Sequence, residues 1–182
     1  MTTSSASTAG DDDDDRVLER RPSRKSQSSG MHDTYCADGN AGFIERCKVA
    51  GANALLGKFT HYGGYDSALA SLKVERVGKG EVEATLPVDK AVQNFYKTLH
   101  GGCIATVVDV VGTMAMLSQN AAKPGVSVDL NVSFCAAAKA GDTVRIKGRL
   151  LKSGRKLAFT QVDLYRESDG KLVATGRHTK AL

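Results

Sequence analysis

The 182-residue sequence lacks most of the features that place a chain in a specialised class. Its four cysteines have neither metal-ligand spacing nor a disulfide framework, and its four histidines are too dispersed to nominate a metal site. Aromatic residues make up only 5% of the chain and form no stripe with the basic residues, which argues against a nucleic-acid surface. We therefore expect no metal, no other cofactor and no nucleic-acid partner.

Targeting signals are also missing. The N-terminal segment has no apolar run of the kind that a secretory signal needs. Five consecutive aspartates, residues 11–15, argue against a mitochondrial transit peptide, because such peptides are poor in acidic residues. The final tripeptide differs from the peroxisomal address Ser-Lys-Leu. The expected location is the cytoplasm.

The first part of the chain has a composition unlike the rest. Residues 1–30 are rich in Ser, Thr, Asp and Arg and have almost no apolar side chains, so burial cannot offset the entropy of ordering them. We predict a disordered tail over residues 1–39 and one folded domain over residues 40–182, a length that suits a single core. The chain has a net charge of +5 and residues 1–30 sum to −1, so the remaining chain carries about +6, which favours an anionic ligand.

The longest apolar stretch runs from Cys103 to Leu117 and contains only three polar residues, Thr106, Asp109 and Thr113. About 15 residues are too few to cross a bilayer, which needs roughly 20, so no membrane span is expected. The stretch is long for a strand and does not alternate. It therefore predicts a helix buried in the core, although its valines disfavour helix.

Two features of this predicted helix indicate chemistry. Gly101 and Gly102 stand where the helix would begin, so their N–H groups lack intrahelical partners and attract negative charge. Asp109, two turns further, is the only carboxylate in the apolar run, and burial without a partner would cost several kcal/mol. Each feature alone has a structural explanation. A buried turn would account for the two glycines, and a hydrogen-bonded core aspartate would account for Asp109. Together on one helix they favour an active site.

The remaining periodicities predict one further helix and a set of strands. Residues 40–57 have helical spacing, residues 60–67 predict a loop, and an irregular crossing over residues 89–99 delivers Asn94 beside the start of the buried helix. Cys103 in the helix and Cys135 after a strand are expected to be small buried hydrophobes. Alternation of period two predicts strands around residues 70–77, 82–86, 126–134, 144–150, 157–165 and 172–180. The fold class is therefore α+β, with an antiparallel sheet of about six strands wrapped around one long buried helix.

An ordered set of motifs carries a family resemblance. It reads Asn94-x5-His100-Gly101-Gly102-x6-Asp109, followed by Pro-Gly-Val-Ser-Val-Asp-Leu-Asn-Val at residues 124–132. From about residue 69 to residue 180, the chain resembles the HotDog-fold acyl-CoA thioesterases of the phenylacetate-pathway-like (PaaI-like) branch. The resemblance implies a HotDog fold, hydrolysis of acyl-CoA to a free acid and CoA, and a homodimer or homotetramer with active sites shared between subunits. The loop at residues 60–67 departs from the family pattern.

The resemblance also implies roles for particular residues. The Gly101 N–H and the Asn94 amide would stabilise the oxyanion, Asp109 would act as base or nucleophile, and Ser127 would orient the water or the carboxylate. His100 would either form a local hydrogen bond or transfer a proton near the departing thiol. The cationic turn at residues 152–156 would hold the phosphates of CoA, the alternative being a solvated hairpin tip. The substrate-binding positions implied in this way are Lys90, Gly102, Asp129, Lys152, Ser153, Gly154, Arg155 and Lys156.

Two other functions stay open at this point. One is a non-catalytic acyl-CoA-binding or scaffold module, which would keep the cationic turn but leave Asp109 unexplained. The other is a HotDog dehydratase or hydratase, which would need a catalytic His/Asp pair in a loop. No Ser-His-Asp or Cys-His arrangement is recognisable in the sequence, which argues against a serine or cysteine hydrolase.

Overall fold

The computed structural model describes residues 41–120 and 124–182, so the predicted disordered tail lies outside the described residues. Within these ranges, the predicted helices and strands are confirmed, with shifts of a few residues at their ends. The helices are α1 (Ala41–His61) and α2 (Gly101–Gln119), and two short 3-10 segments are η1 (Tyr65–Leu69) and η2 (Lys90–Val92). The strands are β1 (Lys73–Gly78), β2 (Glu81–Pro87), β3 (Val126–Phe134), β4 (Thr143–Ser153), β5 (Leu157–Arg166) and β6 (Leu172–Ala181).

The six strands form one antiparallel sheet in the order β1-β2-β4-β5-β6-β3. Strand β3 follows α2 in the chain but pairs with β6, so it forms one edge of the sheet, and α2 packs against strands from both halves. This arrangement confirms the α+β class and the HotDog architecture, with the long helix packed on the sheet. It also brings β3 and β6 to the side of α2 that carries Asp109.

Two glycines of the sheet allow α2 to approach it closely. A Cβ atom on Gly176 of β6 would lie 2.7 Å from Cγ2 of Val108, and one on Gly148 of β4 would lie 2.8 Å from Cγ1 of Val111. Both valines are fully buried, as is Val107. Branched side chains on the helix therefore fill the space that missing side chains on the strands leave, which gives a densely packed core.

Helix α2 is longer than the apolar run from which it was predicted. It has 19 residues, so by length and composition alone it could cross a membrane, and the argument from its shortness was wrong. Its packing shows a different role, because nine of its residues are buried within the domain, four of them valine or isoleucine side chains in contact with the core. Burial on a sheet is what the core helix of a folded domain shows.

The structure corrects two expectations about burial. Asp109 is not enclosed among valines: its side chain is 44% exposed, because it lies on the border of α2 beside β6 and not on the face that packs on the sheet. Cys135 is exposed just after β3, whereas Cys103 is buried as expected, and burial raises the pKa of the Cys103 thiol to about 11. Of these two cysteines, Cys103 alone behaves as a small core hydrophobe.

The segment predicted as a loop at residues 60–67 is partly regular. Helix α1 continues to His61, the chain turns at Gly63 in the left-handed region (φ 82°), and η1 follows. Leu69 at the end of η1 is fully buried and fixes the segment to the core. The hydroxyl of Tyr65 lies 3.3 Å from the point that a Cβ atom on Gly102 would occupy. The segment that departs from the family pattern therefore lies beside the start of α2.

The close approach of α2 predicts that Gly176→Ala is destabilising. The added methyl group would overlap Val108 and crowd the Asn131 carbonyl oxygen, 3.1 Å away, so we expect a loss of about 1–3 kcal/mol in the free energy of unfolding. Urea denaturation measures this loss. The matched control is Gly51→Ala in α1, where nothing lies within 4 Å, and we expect that variant to be neutral or slightly stabilised. Equal stability of the two variants would contradict the packing argument.

Candidate active site

The start of α2 is capped by the side chain of His100. Its Nδ1 accepts a hydrogen bond from the N–H of Gly102 at 2.9 Å, and its carbonyl oxygen accepts from the N–H of Ile104 at 3.0 Å. His100 therefore makes the local hydrogen bond that was one of its two predicted roles. The expectation that both glycine N–H groups are available to a negative charge is wrong for Gly102. Among the described residues the N–H groups of Gly101 and Cys103 have no acceptor, so both donors are left open at this helix end.

Asn94 organises the turn that precedes α2. Its Oδ1 accepts from the N–H groups of Tyr96 and Thr98 at 3.0 and 3.1 Å, and its Nδ2 donates to Oγ1 of Thr98 at 2.8 Å. A carboxamide nitrogen carries two hydrogens, so one N–H is left for a ligand. Asn94 and Gly101 line one open cavity of about 440 Å³, together with Phe134. The structure thus brings the two predicted oxyanion donors together.

A second group of polar side chains surrounds Asp109. Its Oδ1 accepts from Oγ1 of Thr113 at 3.3 Å, and it lies 3.6 Å from Nε2 of His178 and 3.8 Å from Nζ of Lys180. Lys180 Nζ also donates to Oγ1 of Thr113 at 2.9 Å. Asp109 is therefore a half-exposed carboxylate with its inner side held by buried groups.

The strand register explains how Ser127 joins this group. Ser127 of β3 is the direct partner of Lys180 in β6, and His178 and Lys180 are two residues apart, so they face the same side of the sheet. Oγ of Ser127 lies 2.9 Å from Nε2 of His178. The register shifts between Ser127 and Asp129, an irregularity that breaks the regular alternation next to the site.

His178 is fully buried, and its two ring nitrogens have different surroundings. Burial lowers the pKa of His178, Asp109 opposes that shift, and Lys180 adds to it, so the ring is neutral at pH 7. Nδ1 is buried without a hydrogen-bond partner. A proton there would be an unsatisfied buried donor, so we assign it to Nε2, from which it is donated to Ser127. The Ser127 hydroxyl hydrogen is then free to point at a ligand.

Serine, histidine and aspartate therefore do meet, although the sequence showed no such arrangement. Their geometry is not that of a catalytic triad, in which Ser and Asp lie at opposite nitrogens of the imidazole. Here Ser127 and Asp109 both lie at Nε2, and Nδ1 has no carboxylate to orient it. The conclusion that Ser127 is not a triad nucleophile stands, now on geometry.

Sequence reasoning missed three members of this group: Thr113, His178 and Lys180. The signal that could have found the last two is polarity on the inward face of a strand. Both alternate with outward residues in β6, and both are buried, which charged or polar side chains seldom are without a function or a partner. Thr113 could have been found as the residue one helical turn beyond Asp109.

The cationic turn lines a cavity of its own. Lys152, Arg155 and Lys156 surround about 700 Å³ together with Leu157 and Phe159. The N–H of Gly154 donates to the Leu157 carbonyl oxygen at 2.8 Å, so it closes the turn and is not available to a phosphate. Gly154, one of the predicted binding positions, therefore offers no backbone donor to a ligand, while the three cations remain accessible.

The other predicted binding residues are more scattered. Ser153 lines a neighbouring cavity on the far side of the same turn. Asp129 is exposed on β3 opposite Thr179 and acts on the site only through its charge, which favours protonated His178. Lys90 is exposed at the start of η2, whose Val92 carbonyl oxygen accepts from the N–H of His100. No cluster of three His, Cys, Asp or Glu side chains suited to a metal occurs among the described residues.

Comparison with known proteins matches this architecture to one family. The family described as "Thioesterase superfamily" matches residues 96–173. Human acyl-coenzyme A thioesterase 13 is 42% identical over 118 residues, covering 65% of this chain and 84% of its own. The crystal structure of zebrafish thioesterase superfamily member 2 has a TM-score of 0.72 and 39% identity, over 74% of this chain and 97% of its own. The chain belongs to the thioesterase superfamily.

A further solved structure bears on the ligand. A hypothetical thioesterase protein from Streptococcus pneumoniae, crystallised with coenzyme A, has a TM-score of 0.61 and 26% identity. The alignment covers 69% of this chain and 94% of that one. The HotDog fold and the family suggested by the sequence motifs are therefore confirmed.

The buried histidine predicts a pH dependence of stability. The pKa of His178 is lowered from 6.5 in the folded chain, so the unfolded chain binds more protons between the two values. Stability is therefore full above pH 6.5 and is lost as the pH falls through the lowered value, by up to about 1.4 kcal/mol per pH unit. Urea denaturation between pH 7.5 and 4.5 would measure it. We expect His178→Gln to flatten this slope and the matched control in the exposed His61, His61→Gln, to retain it. An unchanged slope in His178→Gln would refute this assignment.

Proposed function

We propose that the chain hydrolyses acyl-CoA thioesters to a free carboxylic acid and CoA. The observation that carries this proposal is the half-exposed Asp109 carboxylate, fixed on its inner side and open to a substrate on the other. The family and the 42% identity to acyl-coenzyme A thioesterase 13 support the same activity. A binding or scaffold module would have no use for an ionisable group held in this way.

The two halves of the site are too far apart to act within one protomer. Gly101 and Asp109 are eight residues apart in α2, which is about 12 Å along the helix axis. Attack on a carbonyl requires reacting atoms about 3–3.5 Å apart, while the oxyanion donors must touch the same carbonyl. A complete site therefore needs Asp109 and Ser127 from one chain, and Asn94 and Gly101 from another.

Strand β3 offers the surface on which two copies can meet. It is the edge of the sheet, and Val126, Val128 and Phe134 along it are more than half exposed. Its Phe134 end touches Gly101, and its Ser127 end joins the Asp109 group. Antiparallel pairing of β3 with β3 of a second copy would place the Ser127 end of one strand beside the Phe134 end of the other. We infer a homodimer with two shared sites.

In such a site each group has a defined task. The Gly101 N–H and the free N–H of Asn94 polarise the thioester carbonyl and stabilise the oxyanion. Asp109 of the other chain acts in one of two ways: it takes a proton from a water molecule that attacks the carbonyl, or its own carboxylate attacks the carbonyl. The Ser127 hydroxyl orients the water or the carboxylate. The carbon–sulfur bond breaks, the acyl carbon gains the water oxygen, and a proton passes to the departing sulfur.

The cationic turn is placed to hold the nucleotide of CoA. Ser153 of β4, Ala158 of β5, Lys180 of β6 and Ser127 of β3 form one row across the sheet, so the turn lies at the Asp109 end. Three strand spacings separate Ser127 from this turn, about 14 Å, which an extended pantetheine arm can span. We infer that Lys152, Arg155 and Lys156 bind the phosphates, and that Phe159 offers an apolar surface to the adenine.

Mixing inactive variants tests the shared site. Asp109→Asn and Asn94→Ala should each lower kcat by at least about 100-fold, because one removes the base or nucleophile and the other an oxyanion donor. When the two variants are unfolded together and refolded as a mixture, half of the dimers carry both, and each of those has one intact site. We expect about a quarter of wild-type thiol release from a panel of acyl-CoAs.

The controls separate the activity from the assembly. Each variant refolded alone should stay inactive, which excludes recovery through the procedure itself. If the wild type is active but the refolded mixture of the two variants recovers no thiol release, one chain supplies the whole site. Absence of thiol release by the wild type from every acyl-CoA of short, medium and long chain length would overturn the proposed reaction.

Replacing Arg155 and Lys156 together by Ala tests the nucleotide site. We expect KM for acyl-CoA to rise by about tenfold, since hydrogen bonds to charged groups contribute more than neutral ones but less where they are exposed. The kcat value should stay within about twofold, because the phosphates bind equally in the ground and transition states. The effect should shrink as salt concentration rises.

Two controls accompany this double variant. Arg145→Ala with Lys147→Ala removes the same charge from exposed positions of β4 outside the turn and should leave KM unchanged. A short thioester without a nucleotide should be hydrolysed equally by the Arg155 and Lys156 double variant and the wild type. Equal losses on both substrates would show that the turn supports the fold and not the ligand.

A further inference from the structure

Lys180 is an unusual lysine. Among residues 41–120 and 124–182 it is the only lysine or arginine whose side chain is buried, with 7% of it exposed. Lysine side chains normally keep their ammonium in water, because its removal from water is costly. The backbone of β6 directs this side chain inward between Ser127 of β3 and Ala158 of β5, its partners in the register.

The ammonium of Lys180 reaches Asp109 by two routes. It donates a hydrogen bond to Oγ1 of Thr113 at 2.9 Å, and that hydroxyl donates to Oδ1 of Asp109 at 3.3 Å. It also lies 3.8 Å from the same Oδ1 without an intervening atom. The first route fixes the direction of the carboxylate, and the second places a positive charge behind it. The other carboxylate oxygen is left for the substrate side.

Three elements place charged or polar groups near Asp109. On β6 these are Lys180 and His178, on β3 the nearest charge is Asp129, and within α2 the neighbouring polar group is the neutral Thr113. His178 is neutral at pH 7 because burial lowers its pKa. Burial also lowers the pKa of Lys180, but Asp109 opposes the shift and favours the ammonium. Lys180 is therefore the cation that faces Asp109.

A substrate would make this charge more important. The Asp109 side chain is 44% exposed in the free chain, so water solvates its charge. An acyl-CoA and a second protomer over the site would displace that water, and desolvation favours the protonated carboxylic acid. A protonated Asp109 could neither accept a proton nor attack a carbonyl. A nearby fixed cation offsets this effect without occupying the open side of the carboxylate.

We propose that Lys180 is a positioning residue that keeps Asp109 ionised and turned toward the thioester while an acyl-CoA covers the site. This inference rests on the proposed role of Asp109 in hydrolysis. Lys180 touches neither the substrate nor the attacking water. It acts through Asp109 and Thr113, and its charge is the property that matters.

Three variants test the inference. Lys180→Met removes the charge and keeps most of the volume, Lys180→Arg keeps the charge, and Lys147→Met removes a charge from an exposed position of β4 as the matched control. Carbon-13 NMR titration of the carboxyl groups follows the pKa of Asp109, whose signal is identified by its loss in Asp109→Asn. We expect Lys180→Met to raise that pKa, because a cation 3.8 Å away is lost, and the other two variants to change it little.

The pH profile of kcat for an acyl-CoA gives the second readout, because kcat reports the groups of the substrate-covered site. The acidic limb should move upward by about one pH unit in Lys180→Met, so activity falls by about tenfold below the limb and recovers at higher pH. Lys180→Arg should keep the limb near its wild-type position. A purely structural role would instead lower activity equally at every pH.

The outcomes are distinguishable. Lys180→Met removes one partner of the pair with Asp109 and the donor to Thr113, so some loss of melting temperature is expected. If Lys180→Met does not fold, Lys180→Gln carries the same comparison. An unchanged Asp109 pKa in the folded variant, or a loss of rate that does not depend on pH, would overturn the inference and leave the thioesterase proposal intact. A raised Asp109 pKa in a chain whose wild type hydrolyses no acyl-CoA would instead overturn the proposed function.

Discussion

The close contact of α2 with the sheet is the constraint on which the rest of the structure depends. Gly148 and Gly176 carry no side chain where Val111 and Val108 press against the strands, so helix and sheet interlock at a fixed height and rotation. A helix held in this way cannot turn about its axis without a clash. Asp109 and Thr113 are therefore fixed along the border beside β6, opposite His178 and Lys180.

The polar group at that border follows a consistent electrostatic logic. Buried ionisable side chains are costly, and here each one is compensated by a neighbour: Lys180 by Thr113 and Asp109, and neutral His178 by Ser127. The desolvation cost arises on the inner side of this polar group, where water is absent. The outer side of Asp109 stays open, which is the condition for its use on a substrate.

The separation of the site into two halves is a consequence of helix geometry. The open amide at the start of a helix and a side chain two turns along it cannot meet on one carbonyl, whatever the sequence. In the proposed dimer, pairing of the edge strand β3, which lies beside both halves, with a second copy would remove the difficulty. The apolar side chains exposed on β3, which would otherwise be a liability for aggregation, would then have a function.

The sequence by itself determined the elements and part of the site. Period-two alternation identified the strands, the apolar run identified α2, and the spacing of Asn94, His100, Gly101 and Asp109 identified the family. These features depend on local pattern, and local pattern is readable along the chain. Predictions about bonding were less successful: Gly102 donates to His100, and Gly154 closes its turn, because each amide found a partner in its own loop.

Only the tertiary structure decided which side chains meet Asp109. His178 and Lys180 lie about 70 residues away in the sequence, and their approach depends on β6 pairing with β3 next to α2. The exposure of Asp109 was also beyond the sequence, because a helix surrounded by apolar residues can present any face to the sheet. The two glycines of β4 and β6 determine which face of α2 packs on the sheet. This effect of the glycines cannot be read along the chain, because the space left by an absent side chain matters only when a side chain of α2 fills it.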